Sequence, residues 1–332
     1  MCIRTTKIMN IDDEWEQFCN GTYDDKVSNV CNESCSNPIC GDLYISTITK
    51  LAYLDVTIPL NEIFWGIPMI SYHEQREGII KKEMKFNCNT LSEFETLQGK
   101  IPSQSNMVMQ QIITHIDNPD GRIKFKDSRK ISVGICKKDI LSTRARKKGA
   151  FYNCFVMIMR IKSQNDFKDI HVKIFNTGNI KIPGIQSDEM FETVVTNIIT
   201  ILNKFEHFAN KPVKYLEDRT QIVLINSNFN CGFFVNREKL YTIIKKKYGL
   251  NCSYDPCSYP GIHIEYYYKD LENLQDQTGK YPHKSKDNIT HIHIKVFRTG
   301  SCLILGKSSC HIIQNVYMKL KHIFETECQN II

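Results

Sequence analysis

Fifteen residues are written nearly twice. IHVKIFNTGNIKIPG runs from Ile170 to Gly184, and IHIKVFRTGSCLILG runs from Ile292 to Gly306, with no gap at an offset of 122 residues. A self-similarity of this kind means two copies of one supersecondary unit, and two copies at so long a period exclude a solenoid. The match continues downstream. Met190, Phe191, Val194, Val195, Ile198, Ile201 and Leu202 correspond to Ile312, Ile313, Val316, Tyr317, Leu320, Ile323 and Phe324 at the same offset, with helical three-and-four spacing. Ser187 and Ser309 stand where N-caps belong. Each unit therefore reads as a strand, a tight Thr-Gly turn, a second strand and an amphipathic helix. The segments upstream, 41–86 and 221–269, add a strand, a helix, an "SY" pair and a Gly-led strand in the same order.

Side chains alternate along a strand, so the repeated strand has two faces. Ile170, Val172 and Ile174, like Ile292, Ile294 and Val296, form the face that helices must cover. His171, Lys173 and Phe175, like His293, Lys295 and Phe297, form the other. One exposed Phe is ordinary. The same aromatic among cations, twice in register, points to a surface for a flat anionic partner, and both rings are expected on the uncovered face.

The architecture and motifs resemble the TATA-box-binding protein family. SYDPCSYPGIHIEYYYK and KVFRTGSCLILGK carry the resemblance in the second repeat, KIFNTGNIKIPG and ISTITKLAYLDV in the first, over residues 41–86 and 164–326. The extra length and the Lys, Ile and Asn content resemble divergent members from large DNA viruses. The resemblance implies an α+β fold: a pseudo-twofold saddle whose curved antiparallel sheet carries helices on its convex side. Residues 1–40, polar and acid-containing, read as a mobile extension; the resemblance implies a first repeat over 41–210 with a basic insertion at 87–163, and a second repeat over 211–332. It implies a DNA-binding transcription-initiation factor that clamps and bends promoter DNA from the minor groove, the mechanism for which this family is the standing example.

By position, the wedge residues are Phe175, Phe297 and Tyr259, the latter just before Pro260-Gly261. The remaining wedge of the first repeat falls on Glu77, or on Cys154 beside Phe155 if FYNCFVMIMRI is the equivalent strand; the spacing from the preceding helix favours Glu77. Lys173, Lys295 and Lys181 lie near the wedges, and Asn226 stands two residues from Leu224, which with Leu43 replaces a base-contacting Asn pair. Glu83 and Glu265 replace a concave Arg. A carboxylate facing phosphates is repulsive, which supports the alternative of a saddle-shaped scaffold that binds transcription proteins and has lost specific DNA binding.

Charge sharpens one point. The net charge is +7, yet residues 121–150 hold eleven Lys or Arg against two Asp, more surplus than the whole chain carries. Arg144, Arg146, Lys147 and Lys148 within it are candidates for phosphate contact. Double-stranded DNA, RNA polymerase and other initiation factors are the expected partners. No apolar run has the length of a membrane span, and the N-terminus lacks a signal-peptide core. The chain is expected inside the cell, in the nucleus or, if viral, in the host cytoplasm, a virus factory or the virion.

Fourteen cysteines in such a chain read as reduced thiols. Cys31, Cys35 and Cys40, like Cys252 and Cys257, lack the second ligand pair a zinc knuckle needs. His291 and His293 share a strand face, but Asp169 replaces the first of them in the other repeat, so no metal or other cofactor is expected. P-loop, GxSxG and HExxH motifs are absent, and the chain reads as a binding protein rather than an enzyme.

Overall fold

The computed structural model describes residues 39–101, 107–141, 152–163, 166–269, 277–281 and 289–332. The chain forms two compact units, one of residues 47–222 and one of 223–332 with the segment before 47.

The C-terminal unit is the plainer of the two. Its strands are β8 (Gln221–Asn230), β9 (Asn251–Ser253), β10 (Ile262–Lys269), β11 (Ile289–Val296) and β12 (Ser301–Gly306). They lie in the order β8-β12-β11-β10-β9, all antiparallel. Ile262, Ile264, Ile292, Ile294, Val296 and Ile304 are fully buried on one face. Leu240 and Ile244 of helix α5 (Arg237–Lys246) and six of the seven predicted residues of helix α6 (Cys310–Ile331) are buried with them, Ile312 being half-exposed. The Ser309 hydroxyl accepts from Ile312 N, the expected cap.

The N-terminal unit repeats this plan and adds to it. Its strands are β1 (Tyr44–Tyr53), β2 (Gly78–Cys88), β3 (Val108–Asp117), β4 (Phe125–Gly134), β5 (Cys154–Ser163), β6 (Asp166–Phe175) and β7 (Asn179–Ile185). Their order is β3-β4-β2-β5-β6-β7-β1. Helices α1 (Leu60–Gly66), α2 (Leu91–Lys100) and α4 (Asp188–Leu202) bury Phe64, Leu97, Phe191, Val194 and Ile198 in one core with Val172, Ile174, Ile180 and Ile182. Ser187 caps α4 by accepting from Met190 N. Each unit is thus α+β, an open antiparallel sheet with its long helices on one face.

The duplicated Thr-Gly turn has a steric cause. Gly178 and Gly300 have φ of 84° and 83°, and a Cβ at either would collide with a carbonyl oxygen, of Val56 or Phe233 respectively. Only glycine fits a left-handed site pressed against backbone.

Strand pairing corrects the expected equivalences. β5 lies against β6 as β10 lies against β11, and β2 takes the place of β9. FYNCFVMIMRI, not the strand after Glu77, is therefore the counterpart of β10. The added piece is α2, β3, β4 and the residues up to 153, and β3 and β4 widen the sheet beyond β2. Chain spacing favoured β2 because it comes first after the helix; pairing, which decides, skipped it. Among the described residues no helix is long and apolar enough to cross a membrane.

Candidate nucleic-acid interface

In the C-terminal unit the face away from the helices carries Asn226 and Asn228 from β8, Leu303 and Leu305 from β12, His293 and Lys295 from β11, and His263 and Glu265 from β10, all half-buried. Phe297 is on this side too, but the expectation of an open ring is corrected: Phe297 is only 1% exposed. Tyr259 lies against it at 6.0 Å between centroids, and a Cβ on Gly261 would touch both rings. The outermost ring is thus Tyr259, with Lys295 Nζ 4.7 Å from its centroid, a cation–π contact. Ser253, Tyr254, Asp255, Tyr259, His263 and Lys295 line a shallow cleft of about 320 Å³ at this point.

Register gives the matching position in the N-terminal unit. Ile262 pairs with Val296, and Phe155 pairs with Ile174, 122 residues before Val296. Phe155 is therefore the counterpart of Ile262, Cys154 of Gly261, and Tyr152 of Tyr259. Tyr152 is 72% exposed, and Phe175, opposite Cys154, is half-buried. The position equivalent to Tyr259 is therefore Tyr152, neither Glu77 nor Cys154; the exposed Glu77 carboxylate accepts from Lys162 N at 2.8 Å. Sequence reasoning missed Tyr152 although FYN stands before CFVM as SYP stands before GIHI; the signal was one aromatic two residues before Cys154 and two before Gly261.

Lys173 and Lys181 face each other across β6 and β7, both half-buried, and place two positive charges beside Phe175. Farther out the face is not open. Ile158 packs with Ile70, Ile80 and Cys136, with Tyr72 against them, and the short helix α3 (Lys137–Leu141) is tied down by Asp139 to Lys81 at 2.8 Å. Ile158, not Glu83, corresponds to Glu265 by register. Glu83 is held between Lys81 at 2.9 Å and Lys130 at 2.7 Å. Burial pushes its carboxyl up, but these two ammonium groups outweigh it and hold the carboxyl below its usual range. Its charge is thus neutralised locally, so it no longer argues against an anionic partner.

The basic stretch divides. Arg129 and Lys130 lie within β4, paired with Asp127 and Glu83 inside the unit. Arg144, Arg146, Lys147 and Lys148 fall outside the described residues, as do Cys31 and Cys35. Asn226, Asn228 and Asn230 form a row with period two along β8, of which sequence reasoning picked out only Asn226. Asn230 Oδ1 accepts from Gly232 N at 2.7 Å and serves the turn.

Beside Tyr259, β10 and β11 gather titratable groups. His263 Nε2 is 3.0 Å from His293 Nδ1, and Glu265 is the direct cross-strand partner of His293. Tyr267 Oη donates to Glu265 Oε2 at 3.0 Å, and the Asn251 amide donates to the same oxygen. Burial pushes Glu265 up, but these hydrogen bonds outweigh it and the carboxyl lies low. Burial lowers His263 and His293, and His291 adds to the effect on His293, so both rings favour the neutral form.

No protein-family model matches the chain. A TATA-box-binding protein-like protein of Acanthamoeba polyphaga mimivirus is 28% identical over 192 residues, 54% of this chain. The chain's match spans about half, 50%, of that relative's length. The TBP of Methanococcus jannaschii is 12% identical with a TM-score of 0.42, over 86% of this chain and 98% of that one. The resemblance carried by the duplicated motifs thus has a counterpart in the comparison: over about half of its length the chain is similar to a viral TATA-box-binding protein-like protein.

Proposed function

We propose that this chain is a DNA-binding transcription-initiation factor resembling TATA-box-binding protein, which clamps promoter DNA from the minor groove and bends it. The observation that carries the reading is the recurrence, by register, of an aromatic pair at the same corner of each unit: Tyr259 with Phe297, and Tyr152 with Phe175. Tyr259 and Tyr152 are the inserting rings; Phe297 backs Tyr259 as a rigid floor. Lys173, Lys181 and Lys295 meet the phosphates beside the wedge, and Asn226 and Asn228 offer polar groups to base edges. Minor-groove readout separates A·T from G·C at most, so the preference is for composition or deformability rather than a fixed word. RNA polymerase and other initiation factors are its protein partners, in the nucleus or a virus factory.

Unstacking a base step costs on the order of a few kcal/mol, which the inserted rings offset. Tyr152→Ala with Tyr259→Ala should therefore abolish bending of a short A·T-rich duplex, read by end-to-end energy transfer, while circular dichroism stays that of the wild type. Equal bending by the two proteins would remove the wedge mechanism. A second expectation concerns Arg144, Arg146, Lys147 and Lys148. Replacing all four with Ala should flatten the plot of log affinity against log salt by about 0.9 for each phosphate no longer neutralised, leaving composition preference unchanged. An unaltered slope would mean that these cations do not touch DNA.

The scaffold reading has two observations in its favour: the Glu265 carboxylate stands on the open face of the C-terminal unit, and α3 and the Ile70–Tyr72 segment cover the outer part of that face in the N-terminal unit. It predicts no duplex binding even at low salt, where the DNA reading predicts its tightest binding.

A further inference from the structure

His263, Glu265 and His293 converge, one donor atom from each within 4.8 Å of the others. Antiparallel pairing builds the group. Glu265 stands opposite His293, and His263 lies on the same strand two residues before Glu265, hence on the same face. The next pair along supplies Tyr267 and His291, stacked at 4.5 Å and 6° between ring planes. His291 Nε2 is buried with no hydrogen-bond partner among the described residues, and it lies 3.9 Å from Glu265 Oε1. A buried ring nitrogen without a partner is costly unless something else takes it up.

We propose that His263, His293 and Glu265 bind a divalent transition-metal ion of the zinc class, with His291 Nε2, 3.9 Å from Glu265 Oε1 and without a hydrogen-bond partner among the described residues, as a further donor. Two imidazoles and one carboxylate are a donor set that such ions take. Tetrahedral ligands about 2.0–2.1 Å from zinc lie roughly 3.3 Å from each other. The His263–His293 separation of 3.0 Å and the 4.8 Å limit on the set bracket that spacing, so small side-chain rotations suffice. The ring nitrogens of His263 and His293 can face each other at 3.0 Å only if at least one is unprotonated, the form that ligates. Outer support is in place too: Tyr267 and Asn251 both hold Glu265 Oε2, leaving Oε1 for the ion. The four side chains stand on two paired strands, a more rigid base than a loop.

The other unit shows that the group is not a by-product of the repeat. By register its counterparts are Val156 for His263, Ile158 for Glu265, His171 for His293 and Asp169 for His291. That asymmetry counted against a metal when only His291 and His293 were in view. With His263 and Glu265 added by pairing, it reads instead as a site confined to one repeat.

The test is a titration of the full-length, chelator-stripped protein with Co²⁺, followed by displacement with Zn²⁺. Visible d–d absorption without the intense thiolate-to-cobalt charge-transfer bands is expected, because the donors are nitrogen and oxygen, although fourteen cysteines are present. His263→Ala with His293→Ala should weaken Co²⁺ by about 100-fold or more, since losing even an outer-shell partner costs 10–100-fold. Glu265→Gln, which keeps the shape, should weaken it less, and serves should the double variant fail to fold. Cys31→Ser with Cys35→Ser should change nothing. Undiminished Co²⁺ affinity in both folded His and Glu variants, or a spectrum dominated by thiolate bands, would overturn the assignment.

Discussion

Asp127→Ala is expected to destabilise the protein by about 3–5 kcal/mol, the usual cost of removing one partner from a buried ion pair. Asp127 lies on β4 with 0% of its surface exposed. Its carboxylate accepts from Arg129 Nε at 2.6 Å and Nη2 at 2.7 Å, and meets His115 Nδ1 at 2.8 Å. Arg129 is buried in turn, donates Nη1 to Gln110 at 2.6 Å, and lies 4.4 Å from the Phe94 ring. The alanine variant strands that guanidinium. A double replacement, Asp127→Leu with Arg129→Met, should recover most of the loss, because an apolar pair of similar volume leaves no charge unpaired. Burial pushes the Asp127 carboxyl up, but Arg129 and His115 outweigh it and hold the carboxyl below its usual range. A depressed folded value makes the pair's contribution full above the unfolded pKa of about 3.9 and lost as pH falls below it. Urea unfolding at pH 7 and at pH 3 should therefore show a wide gap between wild type and Asp127→Ala that narrows in acid. A gap below about 1 kcal/mol at pH 7 would put the pair among the weak surface bridges.

Lys82→Met is expected to act in the opposite direction, stabilising the protein by about 1–3 kcal/mol at neutral pH, within the range seen when a buried charge gives way to an apolar side chain. The Lys82 side chain points into the helix-covered core with 0% exposed, and no carboxylate pairs with it among the described residues. Its Nζ donates to the carbonyls of Trp65 and Ile67 at 3.4 Å, at the C-terminal end of α1, and lies 5.1 Å from the Phe64 ring. Helix dipole and ring both favour the cation, yet burial wins and pushes its pKa down to about 8 from 10.5. At 1.36 kcal/mol per unit that is a cost of about 3 kcal/mol while the group is charged, part of which the methionine returns by leaving two carbonyls unserved. A lowered folded pKa means the cost is full below about 8 and relieved as pH rises toward 10.5. The wild type should gain stability from pH 8 to 10, and Lys82→Met should not. Parallel profiles for the two proteins would show that Lys82 carries no such penalty.

Much of this protein is legible in its sequence. The duplicated stretch determined the Thr-Gly turns, because a left-handed residue pressed against a carbonyl oxygen admits only glycine. Period-two and three-and-four spacing determined which faces of β6, β11, α4 and α6 are buried, and Ser187 and Ser309 marked the helix starts. These are local matters, settled within a few residues of chain. Neighbour choice is not local. Whether β2 or β5 lies beside β6 depends on hydrogen bonding between segments far apart, and an insertion between them removes the spacing that might have told them apart. That choice moved the first-repeat counterpart of Tyr259 from Glu77 to Tyr152 and put Ile158 where Glu83 had been expected. The closing of Tyr259 over Phe297 depends on the turn before β10 folding back on the end of β11, which no periodicity records. The convergence of His263, Glu265 and His293 was likewise hidden: two strands about thirty residues apart had to pair in one register, and a slip of one residue would have sent His293 to the opposite face from Glu265.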